Sequence, residues 1–337
     1  KTAGIGTIET LGPAPDIGDV QRATIGQDGL SLRILSFGAI VQDIWREGVD
    51  HSLVLCFEDV ASYFNNPSYV GTVVGRFGNR IAGGRFELAN QTYQLDLNEN
   101  GHTHLHGGCD GVFNRNWTIE SVSETKAVLA IRLAHMEMGY PGAVDVRLTY
   151  EVLPNQRLQL RFEATCDRQT VINLVPHFYF KLDQCDTISE HLLQVFTDEY
   201  LAVDAASIPV GAPLKTNDSP FDFSKPTPLA GPDGCVFLDH NFCYPTLPDS
   251  DETNLQDLAV LKSTNSGCTL RIRSSKPGLQ IYTGQALGTV KVASFHPYGA
   301  IALEPQYWPN SPNMPSYPNT EFGPDRPYKH VHEFDFS

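Results

Sequence analysis

No stretch of this chain approaches the roughly 20 consecutive apolar residues that span a bilayer as a helix, which argues against a membrane-anchored protein. Positive charge is also scarce: 24 Lys and Arg stand against 39 Asp and Glu, a formal net charge of −15. That balance argues against nucleic acid and anionic membrane surfaces, which are bound through basic patches. It also disfavours a strongly anionic substrate, unless a pocket gathers cations locally. The seven cysteines are scattered, with no C-x-x-C pair and no zinc-type spacing. They read as free thiols of a reducing cytoplasm, although sequons at Asn90, Asn116 and Asn217 point the other way. The G-x-G-x-x-G fingerprint is missing too, which argues against a dinucleotide-dependent sugar epimerase of the Rossmann type.

Helix signals are equally sparse. No amphipathic helix longer than about two turns is predicted, and residues 59–64 form the best short candidate. Strand signals dominate instead. LSLRIL at Leu30–Leu35 alternates, with Leu30, Leu32 and Ile34 on one face and Ser31 and Arg33 on the other. VDVRLTYEVL at Val144–Leu153 and RLQLRFEATC at Arg157–Cys166 alternate likewise. The turn at Pro154, Asn155 and Gln156 makes them the clearest hairpin. A second pair is predicted between residues 270–273 and 279–282. Many short strands, 28 Gly and 23 Pro predict an all-β protein, a large antiparallel β-sandwich in a single domain over residues 1–337. Pro-rich residues 207–234 and 305–327 are expected as long loops that line a binding site.

Six stretches carry candidate chemistry. Residues 75–81, GRFGNRI, combine sharp-turning glycines with Asn79 and Arg80, which offer donors to a neutral polyhydroxylated ligand. An arginine paired with a loop carboxylate explains them as well. In HTHLHGG, His102, His104 and His106 share one face of a strand, the H-x-H spacing of some zinc sites. No further ligand stands at recognisable spacing, so a metal is not expected, and the glycines after His106 place it at a cleft or on the surface. His177 lies among large apolar residues in NLVPHFYF, as a buried core histidine or a functional one. Asp239 in LDHNF is a candidate ligand or an ordinary turn residue of a loop. Gln280 in GLQIYTG faces opposite to Leu279 and Ile281. Glu304 interrupts the apolar run AIALEPQYWP, where an ionised carboxylate costs several kcal/mol unless it is paired, solvated or put to use.

In order and spacing, GRFGNRI, HLHGG, the His177 segment, LDHNF, GLQIYTG and ALEPQYWP resemble the successive motifs of the aldose 1-epimerase (galactose mutarotase) family, from about Leu30 to the C-terminus. The resemblance implies a galactose mutarotase-like β-sandwich with an open cleft and a cofactor-independent isomerase that interconverts the anomers of a hexose such as galactose or glucose. It implies Glu304 as general base and His177 as general acid. It makes Asn79, Arg80, His106, Asp239 and Gln280 monosaccharide-binding residues. The family's usual N-H-S-Y-F-N-L reads PHFYFKL from Pro176 here, so Pro176, Phe178 and Lys181 depart from it, a change expected to touch substrate preference more than catalysis. A mutarotase-like enzyme acting on a sugar phosphate, with Arg76, Arg80 and Lys181 as its cations, is the alternative within enzymes. A non-catalytic carbohydrate-binding module and a glycoside hydrolase using Asp239 and Glu304 are the others. A monomer is the expected assembly.

Overall fold

The Val144–Leu153 and Arg157–Cys166 strands pair in unbroken antiparallel register from Val144 opposite Cys166 to Leu153 opposite Arg157. Asn155 and Gln156 take φ of +64° and +58° in the turn, the left-handed geometry that matches the twist of a tight hairpin. The alternation read from the sequence is the burial pattern observed: Val144, Val146, Leu148, Tyr150 and Val152 are buried, and the residues between them are not. This hairpin supplies the third and fourth strands of a nine-stranded antiparallel sheet in a computed structural model that describes all residues except 1–3, 15, 233, 249–253 and 291–292.

Facing it is a six-stranded sheet whose order runs Tyr179–Phe180, Ile301–Gln306, Gly278–Tyr282, Asp239–Cys243, Glu199–Tyr200 and Leu214–Lys215. A four-stranded meander, which includes Leu30–Leu35, closes one side. Side chains from all three sheets share one core cluster, among them Leu32, Leu148, Phe162, Leu270, Phe242, Leu279, Ile281 and Leu303. Shielding such surface from water is the dominant stabilising term, about 25 cal/mol per Å² of apolar area. The expected all-β antiparallel sandwich is therefore what forms, and the short elements are 3-10 turns. One of them, Val60–Asn65, is capped by Asp59, whose carboxylate accepts from the Ser62 amide at 2.9 Å.

Three sequence expectations need correction. The Thr269–Ser274 and Gly278–Tyr282 strands do not pair with each other but lie in opposite sheets. The link between them is held by both sheets: the Ser275 amide donates to the Val331 carbonyl, and the Pro277 carbonyl accepts from the Tyr244 amide and the Trp308 indole. LDHNF is not a loop, because Asp239–Cys243 is a strand paired with Gly278–Tyr282. Pro305 and Gln306 end a strand rather than open a loop. Beyond Ala302 that strand has register partners on the Gln280 side only, an edge-like setting that tolerates proline.

Candidate active site

The strand register of the six-stranded sheet builds the floor of the site. Asn241, Gln280 and Glu304 lie in one row across three strands, and Asp239, Tyr282, Ala302 and Tyr179 lie in the next. Residues of these rows share one face, because side chains alternate along a strand. Leu279, Ile281, Leu303 and Phe242 take the opposite face and enter the core. The period of two thus sorts one short sheet into a greasy side and a side carrying amides, carboxylates and phenols.

An amide chain holds the floor in place. Gln306 donates to Asn241 Oδ1 at 3.0 Å and to Gln280 Oε1 at 3.3 Å, and Gln280 donates to Asp239 Oδ1 at 2.8 Å. Glu304 is only 2% exposed. Its Oε2 has no hydrogen-bond partner among the described residues and lies 3.6 Å from His177 Nε2. Burial raises the Glu304 pKa well above the ordinary carboxylate range, with Asp239 adding to the rise and Arg80 opposing it. Burial also pulls the His177 imidazole down to about 4. The second nitrogen of that ring, Nδ1, has no partner among the described residues.

The opposing wall comes from the Arg80–Ala82 and Thr103–Leu105 strands, which pair antiparallel. His106 follows the second strand at φ +53°, and its ring stands 5.3 Å from that of His177, nearly perpendicular to it. The Asn79 amide donates to His106 Nδ1 at 3.0 Å. A neutral His106 must therefore carry its proton on Nε2, as a donor. Burial, with His177 and Arg80 nearby, keeps that ring neutral by lowering its pKa well below the ordinary value. Arg80 forms a two-pronged pair with Glu99 at 2.8 and 2.9 Å. Against the burial that would lower it, Glu99, Asp239 and Glu304 hold the Arg80 guanidinium above its ordinary value.

This arrangement puts a buried acid–base pair, a permanent cation and several amide and imidazole donors around one point, and it suits proton transfer on a neutral, hydroxyl-rich molecule. The sequence profile of the aldose 1-epimerase family matches residues 21–335. The chain belongs to the aldose 1-epimerase family. Among its relatives, the galactose mutarotase of Mus musculus is 34% identical over 333 residues, covering 95% of each chain. The aldose 1-epimerase of Haemophilus influenzae is 30% identical, covering 92% of this chain and 93% of its own. In three dimensions the chain resembles the GalM/aldose epimerase homologue from C. elegans, with a TM-score of 0.85, 27% identity and coverage of 94% of this chain and 98% of the other.

Within this aldose 1-epimerase family member, the structure gathers Asn79, Arg80, His106, His177, Asp239, Gln280 and Glu304 at one place. Other readings fall away. His104 does not share a face with His106; it is fully buried, bonded to the Asp96 carbonyl and the Tyr140 hydroxyl. The left-handed turn at His106 breaks the alternation that H-x-H spacing assumes. Arg76 is also turned away, its guanidinium spent on the carbonyls of Pro141, Gly142 and Ala134 and on the Thr170 hydroxyl. Phe178 packs against Phe180 and Phe334 in the core. That departure from the family pattern therefore lies behind the site, while His177 and Tyr179 on either side face it. A groove of about 980 Å³ between residues 82–87 and 311–321 contains none of the seven residues.

Sequence reasoning noted Asn241 only as an amide close to Asp239 and missed Gln306, Tyr69, Tyr179 and Tyr282. Asn241 and Gln306 each stand two residues from a named candidate, so the same strand alternation would have found them.

Proposed function

We propose that this protein catalyses mutarotation of an aldohexose such as galactose or glucose, with Glu304 as general base and His177 as general acid. The observation that carries the proposal is the buried contact between Glu304 Oε2 and His177 Nε2 at 3.6 Å, in which neither Glu304 Oε2 nor His177 Nδ1 has a hydrogen-bond partner among the described residues. Both shifts favour the form of the pair in which the carboxyl keeps its proton and the imidazole is neutral. The pair's productive form, carboxylate with imidazolium, is a tautomer of the resting carboxyl and neutral imidazole.

In the forward step Glu304 takes the proton of the C1 hydroxyl as the C1–O1 bond becomes a carbonyl. The C1–O5 bond breaks, and the ring oxygen takes the proton from His177. The open-chain aldehyde turns about C1–C2, and the same transfers run in reverse on the other face of C1. The pair ends as it began, so the scheme calls on no metal or cofactor. Each positioned group supplies roughly 10²–10⁴-fold, the usual scale for such catalysis. Arg80 and the Nε2 proton of His106 offset charge on the opening hemiacetal. Asp239, Gln280 and Asn79 bind ring hydroxyls.

The sugar-phosphate alternative loses support, since the Arg76 guanidinium is spent on backbone carbonyls and Lys181 lies by Cys185 and His191, which leaves Arg80, already paired with Glu99, as the one cation of the three at the site. We expect the chain to act as a single-domain monomer in the cytoplasm, where its seven free cysteines would stay reduced. Among the described residues no helix is long and apolar enough to cross a membrane. Polarimetry on freshly dissolved α-D-galactose and α-D-glucose tests the activity. Accelerated decay of rotation supports it, and decay at the buffer rate, or release of an aryl group from an aryl galactoside, overturns it.

A further inference from the structure

Tyr69 adopts a conformation that bulky side chains rarely take, with φ at +56°. Such a residue persists only where its surroundings over-determine it, and sites of this kind gather at ligand-binding clefts. Here the surroundings do so. The Tyr69 amide donates to the Asn66 carbonyl, and the Asn66 side chain grips both backbone groups of Val70 at 2.8 and 3.0 Å. The Gly71 amide donates to the His177 carbonyl, the His177 amide donates to the Thr72 carbonyl, and the Tyr179 hydroxyl holds the Ser68 carbonyl. The loop bearing Tyr69 is thus sewn to the backbone of the candidate acid.

The ring this loop delivers lies 4.6 Å from the His106 ring and 5.8 Å from that of His177, with Phe113 supporting it at 4.9 Å. Tyr69 is half-buried, yet among the described residues its phenol oxygen makes no hydrogen bond. Burial raises the Tyr69 pKa to about 12, with Glu99 adding to the rise and Arg80 opposing it. A tyrosine held in a strained backbone conformation between two imidazoles, with its hydroxyl unused, is placed to meet a ligand.

We infer that Tyr69 is a substrate-contacting, specificity-determining residue: its ring packs on the C–H face of the pyranose, and its hydroxyl donates to a sugar hydroxyl. This rests on the mutarotase reading above. The ring also shields His177 from water, which helps keep that imidazole neutral at rest.

The test measures anomer exchange for wild type, Tyr69→Phe and Tyr69→Ala on galactose and on its 2-, 3-, 4- and 6-deoxy analogues. A hydrogen bond between neutral groups is worth roughly a 3- to 10-fold change in affinity. Tyr69→Phe should therefore raise KM for galactose by that factor with kcat within about twofold. For one deoxy sugar, the one lacking the contacted hydroxyl, wild type and Tyr69→Phe should coincide. Tyr69→Ala should raise KM further and move the acidic limb of the pH profile upward, as water reaches His177. An unchanged KM in Tyr69→Phe overturns the inference, and so does an equal loss on every deoxy sugar, which marks a structural effect. Wild-type exchange on galactose reports separately on the mutarotase proposal.

Discussion

Replacing Glu304 with glutamine should cost catalysis and strengthen the fold, and the second effect should grow with pH. Glutamine keeps the volume of the side chain and the strand register opposite Gln280, so the perturbation is confined to the ionisable group. In the wild type that group is 2% exposed, its Oε2 lacks a hydrogen-bond partner among the described residues, and its pKa is raised well above the ordinary carboxylate value. The sign follows by linkage. A carboxyl whose folded pKa is raised binds a proton that the unfolded chain releases above about pH 4.5. Its contribution to stability is complete below that pH and is lost as pH rises through the folded value. The loss is at most about 1.4 kcal/mol per pH unit, because one proton is involved. For a chain of this length, 1 kcal/mol corresponds to roughly 1–2 °C in Tm. Melting curves of both proteins should coincide near pH 4.5 and separate in favour of Glu304→Gln as pH is raised to 8, by a few degrees. Over the same range kcat for anomer exchange should fall by about 10²–10⁴-fold. A Tm difference that stays flat with pH would show that Glu304 titrates as an ordinary exposed carboxylate. A loss of kcat under tenfold would remove it as the base.

Two further outcomes follow from the same geometry. Asp239→Asn removes the charge that accepts from Gln280 at 2.8 Å and is proposed to hold a sugar hydroxyl; KM should rise about 10- to 100-fold with kcat much less affected, as steady-state kinetics would show. Asn173 is fully buried, and its side chain joins the Gly78 carbonyl, the Tyr307 amide and Lys276 Nζ, tying the Asn79–Arg80 turn to the end of the Glu304 strand. Asn173→Ala should therefore lose about 2–4 kcal/mol in denaturant titrations and lower kcat/KM as well, whereas full activity at reduced stability would separate this tie from the site.

Where the sequence was informative, the reason is local. The Val144–Cys166 hairpin was legible because alternation, β-branched residues and a turn of three residues all agree. Gln280 was legible as facing away from the core because Leu279 and Ile281 flank it in an unbroken period of two. Pairing partners were not legible, since alternation says which face a residue takes and nothing of which strand lies beside it. Residues 270–273 and 279–282 therefore read as a hairpin, although the Ser275–Lys276–Pro277 link carries the chain across to the other sheet. His104 and His106 misled for a related reason: one left-handed residue at a strand end reverses the parity on which the H-x-H argument depends. The pairing of Arg80 was foreseen in kind, but Glu99 could not be named, because the partner comes from a different turn of the chain. Tyr69 escaped notice entirely, since what distinguishes it is a backbone angle and an unused hydroxyl.

The central claim is that Glu304 and His177 share one proton with their usual order of acidity reversed, and the pH profile of kcat/KM for exchange of α- and β-galactose tests it most directly. Saturation-transfer NMR, corrected for the spontaneous reaction, should give a rate that falls only below about pH 4, where His177 takes a second proton. Above that limb the rate should be flat through neutrality, and it should fall again only where the raised carboxyl gives up the pair's last proton. A profile that peaks between ordinary carboxylate and imidazole values, near pH 5.5, and is lost by pH 8 would contradict the account.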